Sequence, residues 1–335
     1  MGKRSLIEQL DQAIEAMLVR PEAERAPIDS SLQPLLRVAA QLRELPREGF
    51  KARLKNELEG RETMASQAAT EPAEPKVDPI RKGFRTVTPY LVAPDGPALL
   101  EFAKNVFGAE ESFRAIGSAG GIHGEVRIGD GMLMIGGGIP GKEWRSTPKP
   151  AALHIYVRDC DATYQRALDA GAASIDKPRD QFYGERSATV KDFADNFWYI
   201  ATYKGDNYKW EGAPDVQPCL HPPQSGPVIE FLKQAFDAEE LGRHASPQGV
   251  IRHATVKIGT SLMELGDAHG PYQPMKSMFY LYVPDVDKLY RQALGAGAKS
   301  ISEPRDQDYG DRSAGIEDPF GNQWFIATHI KDVGA

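Results

Sequence analysis

A long internal repeat constrains the fold of this chain more than any other feature. The segment at 177–202, KPRDQFYGERSATVKDFADNFWYIAT, returns at 303–328 as EPRDQDYGDRSAGIEDPFGNQWFIAT, with 15 of 26 residues identical. The match extends toward the N-terminus, where Gly129 aligns with Gly259. A repeat of this length indicates a duplicated folding unit, so we expect two similar modules in one chain.

Length and composition describe an ordinary globular protein. The chain has 335 residues, 41% of them hydrophobic and 26% charged, with a net charge of −7. It carries no basic stripe interleaved with aromatic residues, so we expect no nucleic-acid partner. No apolar stretch approaches the roughly 20 residues that a membrane helix needs, and acidic residues interrupt the N-terminal segment, which excludes a secretory signal. Cys160 and Cys219 lack CxxC spacing and need not pair. These features predict a soluble cytoplasmic protein.

The pattern of apolar residues and prolines divides the chain into five parts. Apolar residues recur at helical spacing in the first 60 residues, and three prolines then follow in a stretch without periodicity. The predicted parts are a helical appendage at 1–60, a proline-rich linker at 61–83, a first module at 84–204, a short linker at 205–214 and a second module at 215–330. Within each module we predict the order βαβββ followed by βαββ.

Paired motifs in the two modules point to a known family. They are the hairpins IGDGMLMIGG and IGTSLMELGD, the strand ends VRDCDA and VPDVDK, the turns YGER and YGDR, and the segment DPFGNQWFIATH. The order and the motifs resemble the vicinal oxygen chelate superfamily of glyoxalase I, extradiol dioxygenases and the bleomycin and fosfomycin resistance proteins, and most of all its PhnB-like branch. The resemblance covers about 84–330. It implies an α+β fold in which the two modules pair within the chain as a pseudo-dimer, with ligands and metals on the concave side of incomplete barrels.

Alternation along the strands sorts polar side chains onto one face. In the second copy, His253, Lys257 and Glu264 lie opposite the apolar face that suits helix packing. The first copy and the next strand of each copy sort in the same way. A ligand cavity needs such a face, with a few polar groups on an apolar wall; a solvent-facing surface would sort identically, but the aromatic content favours a cavity. The predicted substrate-binding residues are His123, Glu125, Arg127, Tyr156, Lys257, Tyr280, Tyr282, Tyr309 and Arg312.

The resemblance also implies where a divalent metal would bind. Carried onto this sequence, the family's ligand positions are Thr88, Met134, Ala152 and Tyr199 in the first copy, and Gln217, Glu264, Met278 and Phe325 in the second. Neither copy holds a ligand set alone. A site shared between the copies would bring Gln217 and Glu264 to His154, two residues from the family position, and these donors would suit Zn, Ni or Mn. A metal-free cavity is the alternative.

Glu264 is the main candidate for chemistry. A carboxylate on a cavity wall could act as a general base whose pKa is raised by burial, or could form an ion pair with Lys257 or His253. We predict a small-molecule enzyme of the lyase or isomerase type, with Glu264 as the base and His253 and His154 nearby. The second copy is the better candidate for an active cavity because the first lacks a counterpart of Glu264.

Two other functions stay open at this point. One is a metal-free protein that binds and sequesters a small molecule, which would show aromatic-lined cavities without an activated base. The other is a ligand-sensing regulator in which residues 1–60 dock a protein partner.

The repeated segment that runs from Asp180 to Arg186 and from Asp306 to Arg312 has two interpretations. In one, the central glycine forms a tight turn and each arginine pairs with the aspartate across that turn. In the other, Tyr309 and Arg312 lie at a cavity mouth and contact substrate.

Overall fold

The computed structural model describes residues 77–117 and 119–333. The predicted helical appendage at 1–60, and with it the predicted protein-partner site, lies outside these residues, as does most of the linker at 61–83. The described part contains sixteen strands and four helices. In that part of the chain, no helix is long and apolar enough to cross a membrane.

The elements follow the same order in both copies. The first copy contains β1 (Val87–Ala93), α1 (Gly96–Phe107), β2 (Glu110–Ile116), β3 (Ile122–Ile128), β4 (Gly131–Gly137), β5 (Ala152–Tyr156), α2 (Cys160–Asp169), β6 (Ala173–Asp180), β7 (Glu185–Lys191) and β8 (Phe197–Tyr203). The second copy contains β9 (Val216–Leu220), α3 (Ser225–Phe236), β10 (Glu239–Ala245), β11 (Ile251–Ile258), β12 (Ser261–Leu265), β13 (Met278–Tyr282), α4 (Val286–Gly295), β14 (Lys299–Asp306), β15 (Asp311–Glu317) and β16 (Gln323–His329).

The strands form two eight-stranded mixed sheets, and each sheet is shared between the copies. Sheet A has the order β14-β15-β16-β13-β1-β4-β3-β2, and sheet B has the order β10-β11-β12-β9-β5-β8-β7-β6. The halves join where β1 pairs antiparallel with β13 and where β9 pairs antiparallel with β5. The predicted intrachain pseudo-dimer of α+β modules is therefore confirmed. Each concave surface combines the first half of one copy with the second half of the other.

Each copy nevertheless has a hydrophobic core of its own. In the first copy, side chains of α1 and α2 pack against the apolar faces of that copy's strands, and Trp198 lies fully buried among them. The second copy repeats this arrangement around Trp324. The apolar strand faces that suit helix packing belong to these cores and include Val126, Leu153 and Met263. The opposite faces of the strands are left to form the two hollows.

The structure contains one strand more in each copy than the sequence pattern predicted. These strands, β6 and β14, lie at the edges of their sheets and pair only with β7 and β15. Most of their residues are exposed or half-buried, and each contains a proline, which edge strands tolerate. Because neither face is consistently apolar, the alternation that marks a half-buried strand is missing.

Two glycine turns bring the copies into close contact. Gly259 joins β11 to β12 with φ of +55°, and a Cβ atom there would lie 2.2 Å from the Thr86 hydroxyl of the other copy. Gly129 occupies the equivalent turn with φ of +57°, and its Cβ would lie 2.0 Å from an Asp215 carboxylate oxygen. Both the left-handed backbone and the short distance require glycine. The shared sheets thus depend on turns without side chains.

Candidate functional site

The hollow of sheet B contains a cavity of about 930 Å³, which we call cavity B. Asp176 of β6 and His244 of β10 come from opposite ends of the sheet and line the same cavity, so the sheet curves around it. The volume falls in the range of pockets that hold drug-sized molecules. Cavity B draws its walls from the second half of the first copy and the first half of the second copy.

His154 and Glu264 form a buried pair on the wall of cavity B. Nδ1 of His154 lies 2.8 Å from Oε1 of Glu264, and His253 approaches the other oxygen of that carboxylate, with Nε2 3.8 Å from Oε2. One carboxylate therefore holds two imidazole rings. These are the three residues that the sequence analysis named as catalytic, and the shared sheet brings them together from β5, β11 and β12.

The charges of this group stabilise one another. Burial opposes the charge on Glu264, but His154 and His253 outweigh it and hold the pKa of Glu264 well below its usual range. Burial likewise opposes protonation of His154, yet Glu264, followed by Glu185, raises the pKa of His154 to about 9. The nearby Glu264 carboxylate also raises the pKa of His253. The expectation of a raised pKa for Glu264 was wrong because the two imidazoles offset its desolvation.

The second nitrogen of His154 has a different environment. Nε2 is buried and makes no hydrogen bond to any described residue; Oε2 of Glu185 lies 3.7 Å away. The other oxygen of Glu185 accepts hydrogen bonds from the Tyr156 hydroxyl at 2.6 Å and from the Trp210 indole N–H at 3.0 Å. His154 therefore has one nitrogen hydrogen-bonded to Glu264 and the other without a hydrogen bond but near the Glu185 carboxylate. The Tyr156 ring lies 4.6 Å from the His154 ring centre.

Aromatic side chains form much of the remaining wall. The Tyr199 hydroxyl lies 2.6 Å from Nε2 of His221, and the Tyr272 ring packs 5.5 Å from both rings. Burial lowers the pKa of His221 to about 4, so this imidazole is neutral at physiological pH. This side of cavity B is aromatic and its histidine is neutral, in contrast to the charged histidines around Glu264.

The hollow of sheet A is occupied by the chain itself. Arg81, just before β1, donates to both carboxylate oxygens of Glu125, each at 2.7 Å. Phe84 packs with its ring 5.4 Å from the Tyr282 ring. In the aligned second copy, Trp210 stands in place of Arg81 and Ala213 in place of Phe84. The predicted substrate-binding residue Glu125 is therefore already paired within the chain.

Other predicted substrate-binding residues in sheet A are also engaged. The hydroxyls of Tyr280 and Tyr282 both donate to Oδ2 of Asp311, at 2.8 and 2.9 Å. His123 lies 2.7 Å from the Tyr90 hydroxyl through Nδ1. These side chains form the inner wall of the closed hollow and are remote from His154 and Glu264.

The basic candidates do not line cavity B. Arg127 is exposed and pairs with Glu110. Lys257 is exposed and does not reach Glu264, so of the two ion-pair partners considered for that carboxylate only His253 is correct. Arg312 binds Asp287 and Asp306. Four of the predicted substrate-binding residues therefore lie outside the lining of cavity B: Arg127, Lys257, Arg312 and the half-exposed Tyr309.

The repeated turn segment takes the structural role. Arg186 donates to Asp180 at 3.1 Å, and Arg312 donates to Asp306 at 2.8 Å. Each arginine also binds an aspartate at the start of the neighbouring helix, Asp161 in the first copy. These pairs fasten the turn to the helix and leave the arginines unable to face a ligand.

The predicted metal ligands make contacts within the protein. Glu264 and His154 bond to each other, and the amide nitrogen of Gln217 lies 3.4 Å from the carbonyl oxygen of Pro214. In residues 77–117 and 119–333, no group of three or more His, Cys, Asp or Glu side chains is arranged to hold a metal ion. The set of Gln217, Glu264 and His154 for a divalent metal stays a prediction.

Comparisons with known proteins agree with this fold. Residues 227–326 match the model of the Glyoxalase/Bleomycin resistance protein/Dioxygenase superfamily. An uncharacterised protein of Mycobacterium tuberculosis is 33% identical over 141 residues, which cover 39% of this chain and 83% of that protein. The chain belongs to the Glyoxalase/Bleomycin resistance protein/Dioxygenase superfamily. A Mycobacterium bovis protein, also uncharacterised, is 34% identical over 134 residues, 36% of this chain and 88% of its own.

Solved structures of this superfamily share the tandem fold. Glyoxalase I from Zea mays superposes with a TM-score of 0.53 at 13% identity, covering 72% of this chain and 92% of its own. A putative dioxygenase from Bacillus subtilis gives a TM-score of 0.51 at 13% identity, with 73% and 85% covered. At this identity the likeness concerns the fold. Superfamily membership supports a small-molecule enzyme or binding protein, and assignment to the PhnB-like branch stays a prediction.

Several residues of the site were missed by sequence reasoning. Glu185 lies within the repeated YGER turn, where the neighbouring arginine is the more conspicuous residue. Trp210 was assigned to a linker, yet its ring stacks on Tyr203 at 3.8 Å between centres and its N–H binds Glu185. Cys219 lies 3.7 Å from Glu264, and burial raises the pKa of its thiol. Strand alternation places Cys219 beside Gln217 on the same face, which could have identified it.

Proposed function

We propose that this superfamily member is a small-molecule enzyme of the lyase or isomerase type, with cavity B as its active site. The observation that carries the proposal is the state of His154: Nδ1 is held by Glu264, while Nε2 has no hydrogen-bond partner among the described residues. An imidazole oriented by a carboxylate through one nitrogen, with no hydrogen bond at the other, is the arrangement that acid–base catalysis uses.

The roles differ from those expected from the sequence. Glu264 is a weak base because its pKa is held low, so we assign it to orienting the two imidazoles. His154 is protonated at neutral pH and would donate a hydrogen bond to a substrate oxygen on which negative charge develops. His253, half-exposed at the same carboxylate, would accept the proton from the neighbouring carbon. Together these steps move a proton, as isomerisation or elimination next to a carbonyl requires.

Deuterium exchange tests this proposal even though the natural substrate is unidentified. Small aldehydes, ketones and 2-oxo acids that raise the protein's melting temperature are incubated with the protein in D2O, and the loss of their C–H signals is followed by proton NMR. We expect catalysed exchange for at least one bound compound, with loss in His154→Gln and His253→Gln. His123→Gln changes the equivalent histidine of the closed hollow and should leave exchange unchanged.

The pH profile provides a second criterion. The base must be unprotonated and the acid protonated, so the exchange rate should rise with pH through the raised pKa of His253 and fall as pH passes about 9, the pKa of His154. If no bound compound exchanges faster than in buffer, the enzyme proposal is wrong.

The aromatic walls favour one alternative function. Tyr156, Tyr199 and Tyr272 line cavity B together with Trp210, and such walls suit a protein that sequesters a flat ligand. Tight binding of an aromatic compound that leaves the protein chemically unchanged, with no exchange in any compound, would favour this sequestration function.

A further inference from the structure

Two arginines lie at cavity B without partners. Arg179 of β6 and Arg252 of β11 both line the cavity. Their guanidinium groups make no hydrogen bond or ion pair with the described part of the chain, whereas Arg186 and Arg312 on the outer turns are paired with aspartates. Guanidinium groups bind oxyanions well because their planar donors match two oxygens at once.

Arg252 is an insertion that the first copy lacks. In the first copy, Ile116 pairs with Ile122 and Ala115 pairs with His123, without a gap. In the second copy, Ala245 of β10 pairs with Ile251 of β11, and His244 pairs with His253. Arg252, between Ile251 and His253, therefore has no opposite residue on β10. This one-residue bulge is where the offset between the copies changes from 129 to 130. Bulges of this kind redirect a side chain and are frequent beside active sites.

The acidic groups of cavity B are already satisfied by the protein. Glu264 binds two histidines, Glu185 accepts from Tyr156 and Trp210, and Asp176 accepts from the Tyr272 hydroxyl. Of the acids that line the cavity, only the exposed Glu211 has no such contact within the described residues. The side-chain charges of cavity B that remain unpaired, and so can bind a ligand, are therefore mainly the positive charges of Arg179 and Arg252.

The mouth of cavity B carries an exposed aromatic side chain that the equivalent position of the second copy lacks. Phe182 is 94% exposed and lines the cavity beside Tyr183 and Trp210. The aligned residue of the second copy is Asp308. An apolar ring in water is unfavourable unless a ligand covers it, so these rings indicate a flat apolar group in the ligand.

We propose that cavity B recognises small molecules in which a flat apolar ring system carries an anionic oxygen group such as a carboxylate. Arg252 and Arg179 bind the oxyanion, and the rings of Phe182, Tyr183 and Trp210 cover the apolar part. This inference rests on cavity B being the functional site of the proposed function and defines the substrate class for it.

The test compares two probes of the same shape, 2-naphthoate and its neutral amide, 2-naphthamide, by isothermal titration calorimetry. We expect the intact protein to bind 2-naphthoate about tenfold more tightly than the amide, as charge-assisted hydrogen bonds predict. Arg252→Gln and Arg179→Gln should each weaken 2-naphthoate binding by about threefold, and together by about tenfold, and leave the amide unaffected. Arg243→Gln, an exposed arginine of β10 that pairs with Glu240, is the matched control and should bind both probes as the intact protein does.

Equal affinities for the two probes, or no binding of 2-naphthoate, would overturn the inference. Persistence of the preference in the Arg179→Gln/Arg252→Gln double variant would overturn the assignment to these arginines. Failure of the proposed enzymatic function gives a different result, namely anion-selective binding without deuterium exchange in any bound compound.

Discussion

Replacing Glu264 by Gln tests whether the buried ion pair with His154 is as strong as the geometry indicates. Glutamine keeps the size of the side chain and can still hydrogen-bond, but it removes the charge. His154 would then keep only the Glu185 carboxylate, 3.7 Å from its other nitrogen, as a counter-charge. Breaking a buried pair by removing one partner is strongly destabilising for this reason.

The magnitude follows from the pKa of His154. Its rise from 6.5 to about 9 corresponds, at about 1.36 kcal/mol per pKa unit, to about 3 kcal/mol of stability. The lowered pKa of Glu264 describes the same interaction and is not added to it. We therefore expect Glu264→Gln to reduce the free energy of unfolding by about 3 kcal/mol at pH 6.

The dependence on pH has a definite sign. A histidine whose pKa is raised on folding contributes its full stabilisation below pH 6.5 and loses it as pH rises toward 9. The lowered pKa of Glu264 describes the acid limit of the same pair: its stabilisation is present above 4.5, the ordinary pKa of Glu264, and is lost as pH falls toward the folded value. The destabilisation should thus be largest near pH 6, about 2 kcal/mol at pH 7.5 and below about 1 kcal/mol at pH 9.

Urea unfolding followed by tryptophan fluorescence measures this effect, because all four tryptophans lie in the described part of the chain. Glu230→Gln is the control, since Glu230 is exposed on α3 and pairs with Lys233; its effect should stay within about 0.5 kcal/mol at every pH. A loss for Glu264→Gln that is equal at pH 6 and pH 9, or below about 1 kcal/mol at pH 6, would refute the reasoning.

Three further changes test other parts of the structure. Arg81→Ala leaves Glu125, which is 2% exposed, with only the His123 imidazole nearby, so urea unfolding at pH 7 should show a loss of about 3 kcal/mol; an unchanged midpoint would show that the hollow of sheet A does not need this pair. Phe182→Asp introduces the residue of the other copy and should leave stability within about 0.5 kcal/mol, while calorimetry shows weaker 2-naphthoate binding; unchanged affinity would remove Phe182 from the ligand site. Gly259→Ala places a Cβ atom 2.2 Å from the Thr86 hydroxyl at a left-handed position, so thermal unfolding should report a loss of about 2 kcal/mol; a neutral substitution would contradict the close contact.

His154, His253 and Glu264, the residues proposed as catalytic, show how far the sequence could predict the site. His154, His253 and Glu264 were identified by strand alternation, because the period of two sorts side chains reliably once one face is apolar. Their charges were not predictable in the same way. The pKa of Glu264 depends on His154, which is 110 residues away in the sequence and reaches it only through the pairing of β5 with β9.

Arg127 and Lys257 illustrate the opposite limit. Alternation placed both on the polar face of their hairpins, but they lie near the hairpin ends, where side chains extend into solvent. The closure of the sheet A hollow by Arg81 was equally hidden, since a segment before the first strand carries no periodic pattern.

The sequence by itself determined the duplication, the order of most elements and the division of each strand into a core face and a polar face, because these depend on local periodicity and on the comparison of the two copies. Tertiary structure decided which halves share a sheet, which hollow stays open and which charges meet. Those outcomes depend on contacts between distant segments, where one alanine in place of Phe84 and one inserted arginine distinguish two hollows built from nearly the same sequence pattern.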